Sequence, residues 1–413
     1  MNKLEQVIYE LCANRVVFKS LGEIATITRG GSFQKKDYCE TGVPCIHYGQ
    51  IYTQYSLFAK RTFSYIGTEV ANKQKMANPN DIIMAVTSEN IEDVCKCVAW
   101  LGKDKIAVSG HTAIIHHSQN PKYLTYFFHS NMFLQQKKKI AHGTKVIEVT
   151  PDKLKNIKIP VPPLPVQAEV VRILDNFTQL TAELTAELTA RKKQYEYYRD
   201  ELLNFNDNTS TVMLGDVGDV TKLAGFEFTS HVKYRDEGEI IALRGLNVKE
   251  GKLDLSSVKY IDGSNFEKLN RSKLQKGDML LTYVGTIGQV AVIDEDDRFY
   301  LAPNVARIRF DTKVINPEFM RFYFQTSHFF NKQINKFLNS SSMKNLTMEN
   351  IRKFSVPIPS MKEQNRLVKL LQHFDKLCND ISEGLPAEIA ARQKQYEYYR
   401  DKLLTFKELK QED

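Results

Sequence analysis

Residues 190–205 read ARKKQYEYYRDELLNF, and residues 391–406 read ARQKQYEYYRDKLLTF. The two stretches are identical at thirteen of sixteen positions and lie 201 residues apart. Agreement of this length indicates an internal duplication. The sequence therefore predicts two copies of one structural unit, related by a pseudo-two-fold axis, and such a duplication favours a duplicated target.

Shorter matches extend the duplication toward the start of each copy. LGEI at residues 21–24 corresponds to LGDV at residues 214–217, and NPKYL at residues 120–124 corresponds to NPEFM at residues 316–320. The offsets stay between 193 and 201 residues, so the order of elements is kept while loops change length. The residues between these anchors diverge, which predicts a shared frame with two different surfaces.

Each half predicts a mixed α/β globular domain. Runs rich in β-forming residues are bounded by Gly, Asn and Pro, as strands are. These runs are residues 81–86, 113–116, 279–284 and 305–310. Proline in a first turn predicts a helix over residues 121–140 and another over residues 317–338.

A long apolar stripe follows the proline-rich end of each half. Apolar residues recur at steps of three or four over residues 170–205 and again over residues 367–406. Stripes that cannot be buried alone bury each other, which predicts a coiled-coil-like pair. Because the second helix must run back toward the first domain, the pair is predicted to be antiparallel. The fold class is α+β, with two mixed α/β domains joined by these helices.

The two predicted spacer helices differ in detail. The first carries a tandem TAEL repeat at residues 181–188, in which each unit adds roughly 6 Å of helix. It is either an adjustable ruler or simply a run of good helix formers. The second carries SEGLP at residues 382–386, where Gly384 and Pro386 predict a kink or a break.

Composition favours an anionic partner inside a reducing compartment. Lys+Arg of 57 against Asp+Glu of 49 gives a formal charge of +8, which favours nucleic acid. The six cysteines show no disulfide or zinc-knuckle spacing. No uncharged apolar run is long enough to span a bilayer, and residues 1–18 predict an amphipathic helix. We expect a cytoplasmic protein without a membrane partner.

The sequence resembles the specificity subunit of type I restriction-modification systems. The features that carry the resemblance are the paired tyrosine motifs, LGEI and LGDV at the start of each half, IPVPPL and VPIP at the end of each half, and the following Gln167 and Gln364. The resemblance covers nearly the whole chain. It implies two target recognition domains that each read one part of a bipartite double-stranded DNA sequence. It also implies that the helices set the unread gap and dock two modification (methyltransferase) subunits, which restriction (nuclease/translocase) subunits join.

The resemblance and the repeat together give the expected domains. They are an N-terminal helical arm (1–20), target recognition domain 1 (21–163), spacer helix 1 (164–205), target recognition domain 2 (206–359), spacer helix 2 (360–406) and a tail (407–413).

The chain shows no motif for catalysis of its own. It has neither an Asn/Asp-Pro-Pro-aromatic loop nor a P-loop, and Gly285 to Gly288 predicts only a tight turn. The histidines match no metal-ligand spacing, and Cys95 and Cys97 are expected on one face of a strand. We expect no cofactor or metal in this chain; the resemblance places S-adenosylmethionine and ATP on partner subunits.

Glycine-bearing and polar segments after predicted strands are candidate DNA contacts, because Arg, Lys, amide and hydroxyl side chains bind base edges and phosphates. In the first half these are Arg29, Ser32, Gln34, Lys35, Lys36, His47, Tyr48, Gln50, Thr87, Ser88, Asn90, Thr144 and Lys145. In the second half they are Lys222, Arg244, Asn247, Tyr283, Thr286, Ser340, Ser341 and Lys344. For any single residue a solvated loop side chain is an equal alternative.

The tyrosine motif supplies candidate docking residues. Four tyrosines lie on the stripe and are expected in the core of the helix pair: Tyr195, Tyr198, Tyr396 and Tyr399. Tyr197 and Tyr398 lie off the stripe, where exposed aromatic rings favour interfaces. Arg191, Arg199, Arg392 and Arg400 are expected to face DNA, a modification subunit or water.

These features predict a non-catalytic DNA-specificity subunit with an asymmetric target. A structural adaptor whose two halves bind proteins is the alternative. Steep salt dependence of DNA binding separates the two. A stand-alone nuclease or methyltransferase is a third hypothesis, and it requires turnover or cofactor binding by the purified chain.

Overall fold

The computed structural model describes residues 16–205, 209–223, 228, 230–338, 345–379, 384–406 and 408. The chain divides into two compact units: unit 1 is Met1–Leu184 with Ile389–Asp413, and unit 2 is Thr185–Glu388. The divisions fall inside the long helical segments rather than at the proline-rich joints. Each unit therefore combines one globular half with the terminal helical turns of the other repeat.

Two five-stranded sheets form the centre of unit 1. Its strands are β1 (Phe18–Ser20), β2 (Ala25–Arg29), β3 (Tyr38–Cys39), β4 (Val43–Ile46), β5 (Phe58–Ala59), β6 (Ser64–Ile66), β7 (Met76–Ala77), β8 (Ile82–Ala85), β9 (Thr87–Ser88), β10 (Cys97–Trp100), β11 (Ile106–Val108), β12 (Thr112–His117), β13 (Ile147–Glu148) and β14 (Lys158–Pro160). The sheet orders are β2-β12-β8-β10-β5 and β3-β6-β4-β11-β7. Every residue of β8 and β10 is buried, as expected for continuous apolar runs covered on both faces.

Helices cover these sheets. They are α1 (Leu21–Ile24), α2 (Tyr48–Thr53), α3 (Thr68–Ala71), α4 (Pro121–Phe128), α5 (Asn131–Ile140), α6 (Pro151–Leu154) and α7 (Leu164–Leu202). The prediction of a single helix over residues 121–140 is wrong, because the helix is interrupted at His129 and Ser130. The Ser130 hydroxyl accepts the Phe133 N–H and so caps a new helix.

Unit 2 repeats this plan with fewer strands among its described residues. They are β15 (Thr211–Met213), β16 (Gly218–Lys222), β17 (Ile241–Leu243), β18 (Val248–Lys249), β19 (Lys252–Leu253), β20 (Met279–Thr282), β21 (Val290–Val292), β22 (Phe299–Leu301), β23 (Val305–Phe310) and β24 (Ser355–Pro357). The main sheet has the order β16-β23-β20-β21. The four strand runs expected from the sequence are thus confirmed as β8, β12, β20 and β23.

The helices of unit 2 show the same interruption as those of unit 1. They are α8 (Leu214–Val217), α9 (Pro317–Phe324), α10 (Ser327–Phe329), a π-helical turn (Phe330–Ile334), α11 (Asn335–Phe337), α12 (Met348–Arg352), α13 (Met361–Asn379) and α14 (Leu385–Leu404), the last of which continues into unit 1. The helix predicted over residues 317–338 ends at Phe324, because Thr326 caps the Phe329 N–H and starts the next helix.

Buried glutamines explain why Gln follows each proline-rich joint. Gln167 and Gln364 are fully buried. The Oε1 of Gln167 accepts the N–H that opens the NPKYL segment (3.0 Å), and its Nε2 donates to the Pro162 carbonyl (2.8 Å). Gln364 makes the equivalent bonds to the Asn316 N–H (2.8 Å) and the Pro359 carbonyl (2.9 Å). Each glutamine ties the start of a long helix to its own globular half.

Within each unit, the start of one long helix shares a core with the end of the other. In unit 1 the Phe177 ring of α7 stacks on the Tyr399 ring of α14, with centroids 5.3 Å apart. In unit 2, Tyr195 and Leu203 share a core with Leu367 of α13. Start-to-end pairing of this kind is what the antiparallel prediction requires.

The second spacer is interrupted, as SEGLP predicts. Gly384 lies in a bend, and α14 begins at Leu385 with Pro386 in its first turn, where proline is tolerated. Residues 382–383 of the segment lie outside the described residues. At the other end of the chain, residues 1–15 of the expected helical arm are likewise outside them. Phe18–Ser20, assigned to that arm, are instead a strand paired with β14.

Cys95 and Cys97 do not share a strand, contrary to expectation. Cys95 has a φ of 67°, which is incompatible with an extended strand, and only Cys97 belongs to β10. Both side chains are buried. Burial raises the pKa of the Cys95 thiol to about 12 and also raises that of Cys97, so both stay protonated at neutral pH.

An ion pair between the buried Asp278 and the partly exposed Arg309 supports unit 2, and its removal should destabilise that unit. The Asp278 carboxylate accepts hydrogen bonds from Arg309 Nε (2.6 Å) and Nη2 (2.7 Å). Asp278→Ala removes both of these charge-assisted hydrogen bonds and the one that Asp278 Oδ2 accepts from the Gln275 N–H (2.8 Å), and we expect the free energy of unfolding to fall by about 2 kcal/mol in denaturant titrations. Asp236→Ala removes an exposed ion pair with Lys259 and serves as control. Equal losses in the two variants would contradict the burial argument.

A partly buried histidine, His129, makes unit 1 sensitive to acid. Burial is the main cause that lowers the pKa of His129 to about 4, against about 6.5 in an unfolded chain. The unfolded chain therefore binds the proton first, so this stability is complete above pH 6.5 and is lost as the pH falls toward 4. Fluorescence of Trp100, the single tryptophan, should report earlier unfolding across this window, and His129→Gln should flatten the dependence. An unchanged slope in the variant would exclude His129 as the cause.

Candidate nucleic-acid interface

Equivalent loops follow β4 in unit 1 and β17 in unit 2. Each of these strands pairs in parallel with its neighbour, β11 or β22. The residue after β4 is His47, whose backbone N–H donates to the Gln50 Oε1 (2.9 Å). The residue after β17 is Arg244, whose backbone N–H donates to the Asn247 Oδ1 (3.1 Å). One frame thus presents two different side chains at the same place.

Gln50 and Asn247 hold these loops and do not reach outward, which corrects their prediction as DNA contacts. Their exposed fractions are 6% and 0%. The Nε2 of Gln50 donates to Gln54 Oε1 and Ser64 Oγ at 2.9 and 2.8 Å. Both hydrogens of the Asn247 amide are used by backbone carbonyls. A polar side chain in a glycine-bearing loop here serves the loop itself.

In unit 1 the structure gathers several candidates around His111. The rings of His47 and Tyr48 lie 4.6 Å apart, and the Tyr48 and His111 rings lie 5.0 Å apart. Arg29, at the end of β2, donates from Nε to the Gly110 carbonyl at 2.9 Å. His111 was not among the predicted contacts. Its signal in the sequence was its place two residues before the predicted strand at residues 113–116; Asn304 stands directly before the equivalent strand in unit 2.

The Arg29 to Lys36 segment is anchored at this same edge. The Phe33 ring is buried and lies 6.3 Å from the His47 ring. Its neighbours are exposed, and the short helical turn Lys35–Asp37 presents two of them. The exposed candidates there are Ser32, Gln34, Lys35 and Lys36.

The remaining unit 1 candidates divide into exposed and buried residues. Asn90, Thr144 and Lys145 are exposed, and Ser88 is partly buried in β9, which pairs with β13 next to the Thr144 loop. Thr87 is 8% exposed, so its side chain packs inside the fold and does not contact DNA as predicted. Strand alternation explains this difference, because neighbouring residues of a strand face opposite sides.

In unit 2, some of the predicted DNA contacts of the second half line a cleft of about 440 Å³. Its lining includes Tyr234, Arg244, Leu246, Thr286 and Asn304. Gly285 and Gly288 have φ values of 80° and 88°, which confirms the tight turn that carries Thr286. Tyr234 and Asn304 were not predicted from the sequence.

Two other predicted residues stand beside the cleft. The Lys222 ammonium is exposed and lies 5.7 Å from the centroid of the Tyr283 ring. Tyr283 itself is 9% exposed and packs in the core, so its prediction as a contact is wrong. Ser340, Ser341 and Lys344 lie outside the described residues.

Electrostatics make His47 a neutral hydrogen-bond donor. Burial, followed by the charges of Lys35 and His111, lowers the pKa of His47 below its usual range. Its Nδ1 accepts the Gly49 N–H at 3.2 Å, so in the neutral ring the proton sits on Nε2. His47 and Arg29 in unit 1, and Lys222 and Arg244 in unit 2, can therefore donate hydrogen bonds to base acceptors. The charged side chains among them can also neutralise phosphates.

Two charged residues of the tyrosine motif, Arg199 and Arg400, pack against aromatic rings within the fold. The guanidinium of Arg199 lies over the Tyr195 ring at 5.7 Å, and that of Arg400 lies over the Tyr396 ring at 5.6 Å. The exposed fractions of these arginine side chains are only 11% and 13%. Both guanidinium groups are thus engaged within the fold, and their role as docking residues stays a prediction. The burial of both tyrosines is confirmed.

The aspartate after each arginine explains why the motif is repeated. Asp401 Oδ1 accepts the N–H of Asn131, the first residue of α5, at 2.9 Å. Asp200 Oδ2 accepts the N–H of Ser327, the first residue of α10, at 3.0 Å. A carboxylate at a helix N-terminus is favoured by unpaired N–H groups and by the helix dipole. Each long helix thus ends by capping a helix of the other repeat.

Tyr197 and Tyr398 are exposed at 61% and 60%, as their off-stripe positions predict. Tyr399 is packed on Phe177, as expected. Tyr198 is 48% exposed and departs from its predicted place in the core. Arg191 is exposed and lies 3.5 Å from Glu187, and Arg392 donates to Gln395.

Across the described ranges, no group of three or more His, Cys, Asp or Glu side chains is arranged to hold a metal ion. No helix of that part of the chain has the length and apolar character needed to cross a membrane.

Comparisons with known proteins agree with this geometry. Residues 14–191 and 206–391 each match the type I restriction modification DNA specificity domain. A putative type I restriction enzyme specificity subunit of Haemophilus influenzae is 35% identical over 64% of this chain and 68% of its own length. A type I restriction enzyme specificity subunit of Escherichia coli is 34% identical over 61% of this chain and 63% of its own length, so that alignment spans less than two thirds of the relative.

A solved structure supports the fold independently. It concerns complex assembly and conformational transition of the type I R-M system, and its chain aligns with a TM-score of 0.64. The alignment covers 94% of this chain and 97% of that chain at 15% identity, so the likeness concerns the fold. The two matched domains cover most of the sequence, and the chain therefore belongs to the type I restriction modification DNA specificity family.

Proposed function

We propose that this chain reads a bipartite, asymmetric double-stranded DNA target and positions methyltransferase and restriction subunits on it. The observation that carries the proposal is the pair of equivalent loops after β4 and β17. In both loops the backbone N–H of the first residue donates to the side-chain amide oxygen three residues later, which we call the backbone lock. The loops differ in the side chain that they present. Loops on a rigid scaffold are where recognition residues are usually placed.

Asymmetry of the target follows from the differences at matched positions. Arg29 and Lys222 end equivalent strands, His47 and Arg244 follow equivalent strands, and His111 and Asn304 precede equivalent strands. Their hydrogen-bonding capacities differ, so they match different base edges. Two half-sites of different sequence are the expected target.

The unread gap would be set by the long helices. As a single helix of 39 residues, α7 is about 58 Å long, which exceeds one turn of B-DNA at roughly 34 to 36 Å. The division between the units falls between Leu184 and Thr185, at the junction of the two TAEL repeats. Under the ruler hypothesis, a TAEL repeat gained or lost in α7 lengthens or shortens the helix by about 6 Å.

Chemistry would reside on partners in the cytoplasm. We propose that two modification subunits bind S-adenosylmethionine and transfer the methyl group, and that restriction subunits use ATP. Tyr197 and Tyr398 are the proposed docking residues, because the same ring is exposed at the same position of both motifs. Exposed aromatic rings are frequent energetic centres of interfaces.

Salt dependence of DNA binding tests this function against the structural adaptor. The complex with modification subunits should bind duplex DNA with an association constant that falls steeply as salt rises, because phosphate contacts release counterions. Fluorescence anisotropy with duplexes at several salt concentrations measures the slope. An adaptor without DNA-binding function would give no such binding.

A further inference from the structure

Arg244 is held from both ends in the cleft of unit 2. Its backbone N–H donates to Asn247 Oδ1 at 3.1 Å, and its Nη2 donates to the Ser257 carbonyl at 2.9 Å. The same Ser257 carbonyl also accepts Asn247 Nδ2 at 2.9 Å. Asn247 is fully buried, so a single buried amide fixes both the backbone of Arg244 and the acceptor of its guanidinium.

This arrangement leaves donors of Arg244 unused. Its Nε is buried without a hydrogen-bond partner among the described residues. A guanidinium carries five N–H groups, and a buried donor without a partner costs about 1 to 3 kcal/mol. The side chain lines an open cleft beside Thr286 and Asn304. Because Nε is shielded from solvent, a ligand with two neighbouring acceptors would be bound through the Nη1 and Nη2 hydrogens that Ser257 does not use, at little cost in side-chain entropy.

His47 occupies the equivalent position in unit 1 with different donors. Gln50 replaces Asn247 in the backbone lock, and the Nδ1 of His47 is used by the Gly49 N–H. The ring therefore offers one N–H, on Nε2. The lock is common to both units, whereas the number and direction of available donors differ.

Building on the proposed function, we propose that residues 47 and 244 select bases in the two half-sites and that Arg244 selects guanine. Guanine presents the acceptors O6 and N7 side by side in the major groove, and an arginine fork matches them with two hydrogen bonds. Adenine presents one acceptor and one donor at the same place, and the donor opposes a guanidinium. His47 selects a single acceptor.

The test is Arg244→Gln in the complex with its modification subunits, read by methylation-site sequencing of genomic DNA. A glutamine amide matches N6 and N7 of adenine. We expect one guanine of one half-site to be replaced by adenine, with preference for the original base falling by about 10- to 100-fold. The other half-site and the gap should be unchanged. Arg244→Lys should relax the choice at that same position.

Arg298→Gln is the matched control, because Arg298 lies in unit 2 and pairs with Glu295 instead of lining the cleft. It should keep the original motif. Weaker methylation by Arg244→Gln at an unaltered motif overturns the proposal, since loss of a phosphate contact or of folding has that result. A wild-type motif without guanine in either half also overturns it. A wild-type complex that yields no reproducible motif contradicts the proposed function itself, which is a distinct outcome.

Discussion

Tyr197→Ala combined with Tyr398→Ala is expected to abolish methylation by preventing both modification subunits from binding. Each ring is about 60% exposed on the last turns of a long helix, while the charged residues beside it are used within the fold. Truncation of a central aromatic residue at an interface costs about 2 kcal/mol or more, so each site should weaken at least 30-fold. Native mass spectrometry of the assembled complex counts the modification subunits directly.

The single variants sharpen this prediction. Tyr197→Ala alone should leave a complex with one modification subunit, and Tyr398→Ala should do the same. Tyr65→Ala removes another partly exposed tyrosine from unit 1 and is the matched control, because no repeat of the motif surrounds it. A double variant that still binds two modification subunits at wild-type affinity would contradict the docking proposal.

Replacement of residues 21–163 by the corresponding domain of another specificity subunit should change one half of the recognised sequence completely. The exchanged segment contains the His47 loop and the strands that support it, whereas the Arg244 loop lies wholly in unit 2. The other half-site and the gap should be retained, because α7 is untouched. Methylation-site sequencing of the chimaera measures all three features.

The design of the graft follows from the buried contacts. The graft must present a backbone N–H, and so any residue but proline, at the positions of Asn120 and Asn131, since these N–H groups are bound by Gln167 and Asp401, which the graft leaves in place. Loss of these contacts would detach the helices from the domain. A properly folded chimaera in which both half-sites change would disprove modular recognition.

The frame of this protein could be predicted from its sequence because repeated, buried contacts leave repeated residues. Gln167 and Gln364 recur because each bonds a helix opening and a proline carbonyl. The four main strands are apolar runs bounded by turn residues. The interruption at Gly384 follows from the backbone preferences of glycine and proline.

Other features depend on tertiary contacts that have no local signal. Arg199 is a charged residue on a helical face, and only the packing of its guanidinium on Tyr195 removes it from solvent. Gln50 and Asn247 have the composition of contact residues but are used internally as backbone caps. Ser130 and Thr326 divide two helical patterns because their hydroxyls cap the next helix, a choice that the periodicity of the sequence does not reveal.

The recognition edges show the same division between frame and surface. Matching His111 with Asn304 requires the equivalent pairings of β12 with β8 and of β23 with β20, because the sequences around the two residues differ. In contrast, His47 and Arg244 could be selected because each begins a polar, glycine-bearing segment that follows an apolar run. Positions are therefore easier to predict than the partners that fix them.

The most direct test is methylation-site sequencing of DNA exposed to the wild-type chain together with its modification subunits. The expected result is one motif with two halves of different sequence, separated by a fixed number of unspecified base pairs. A single continuous motif, or two identical halves in inverted orientation, would contradict recognition by two dissimilar units.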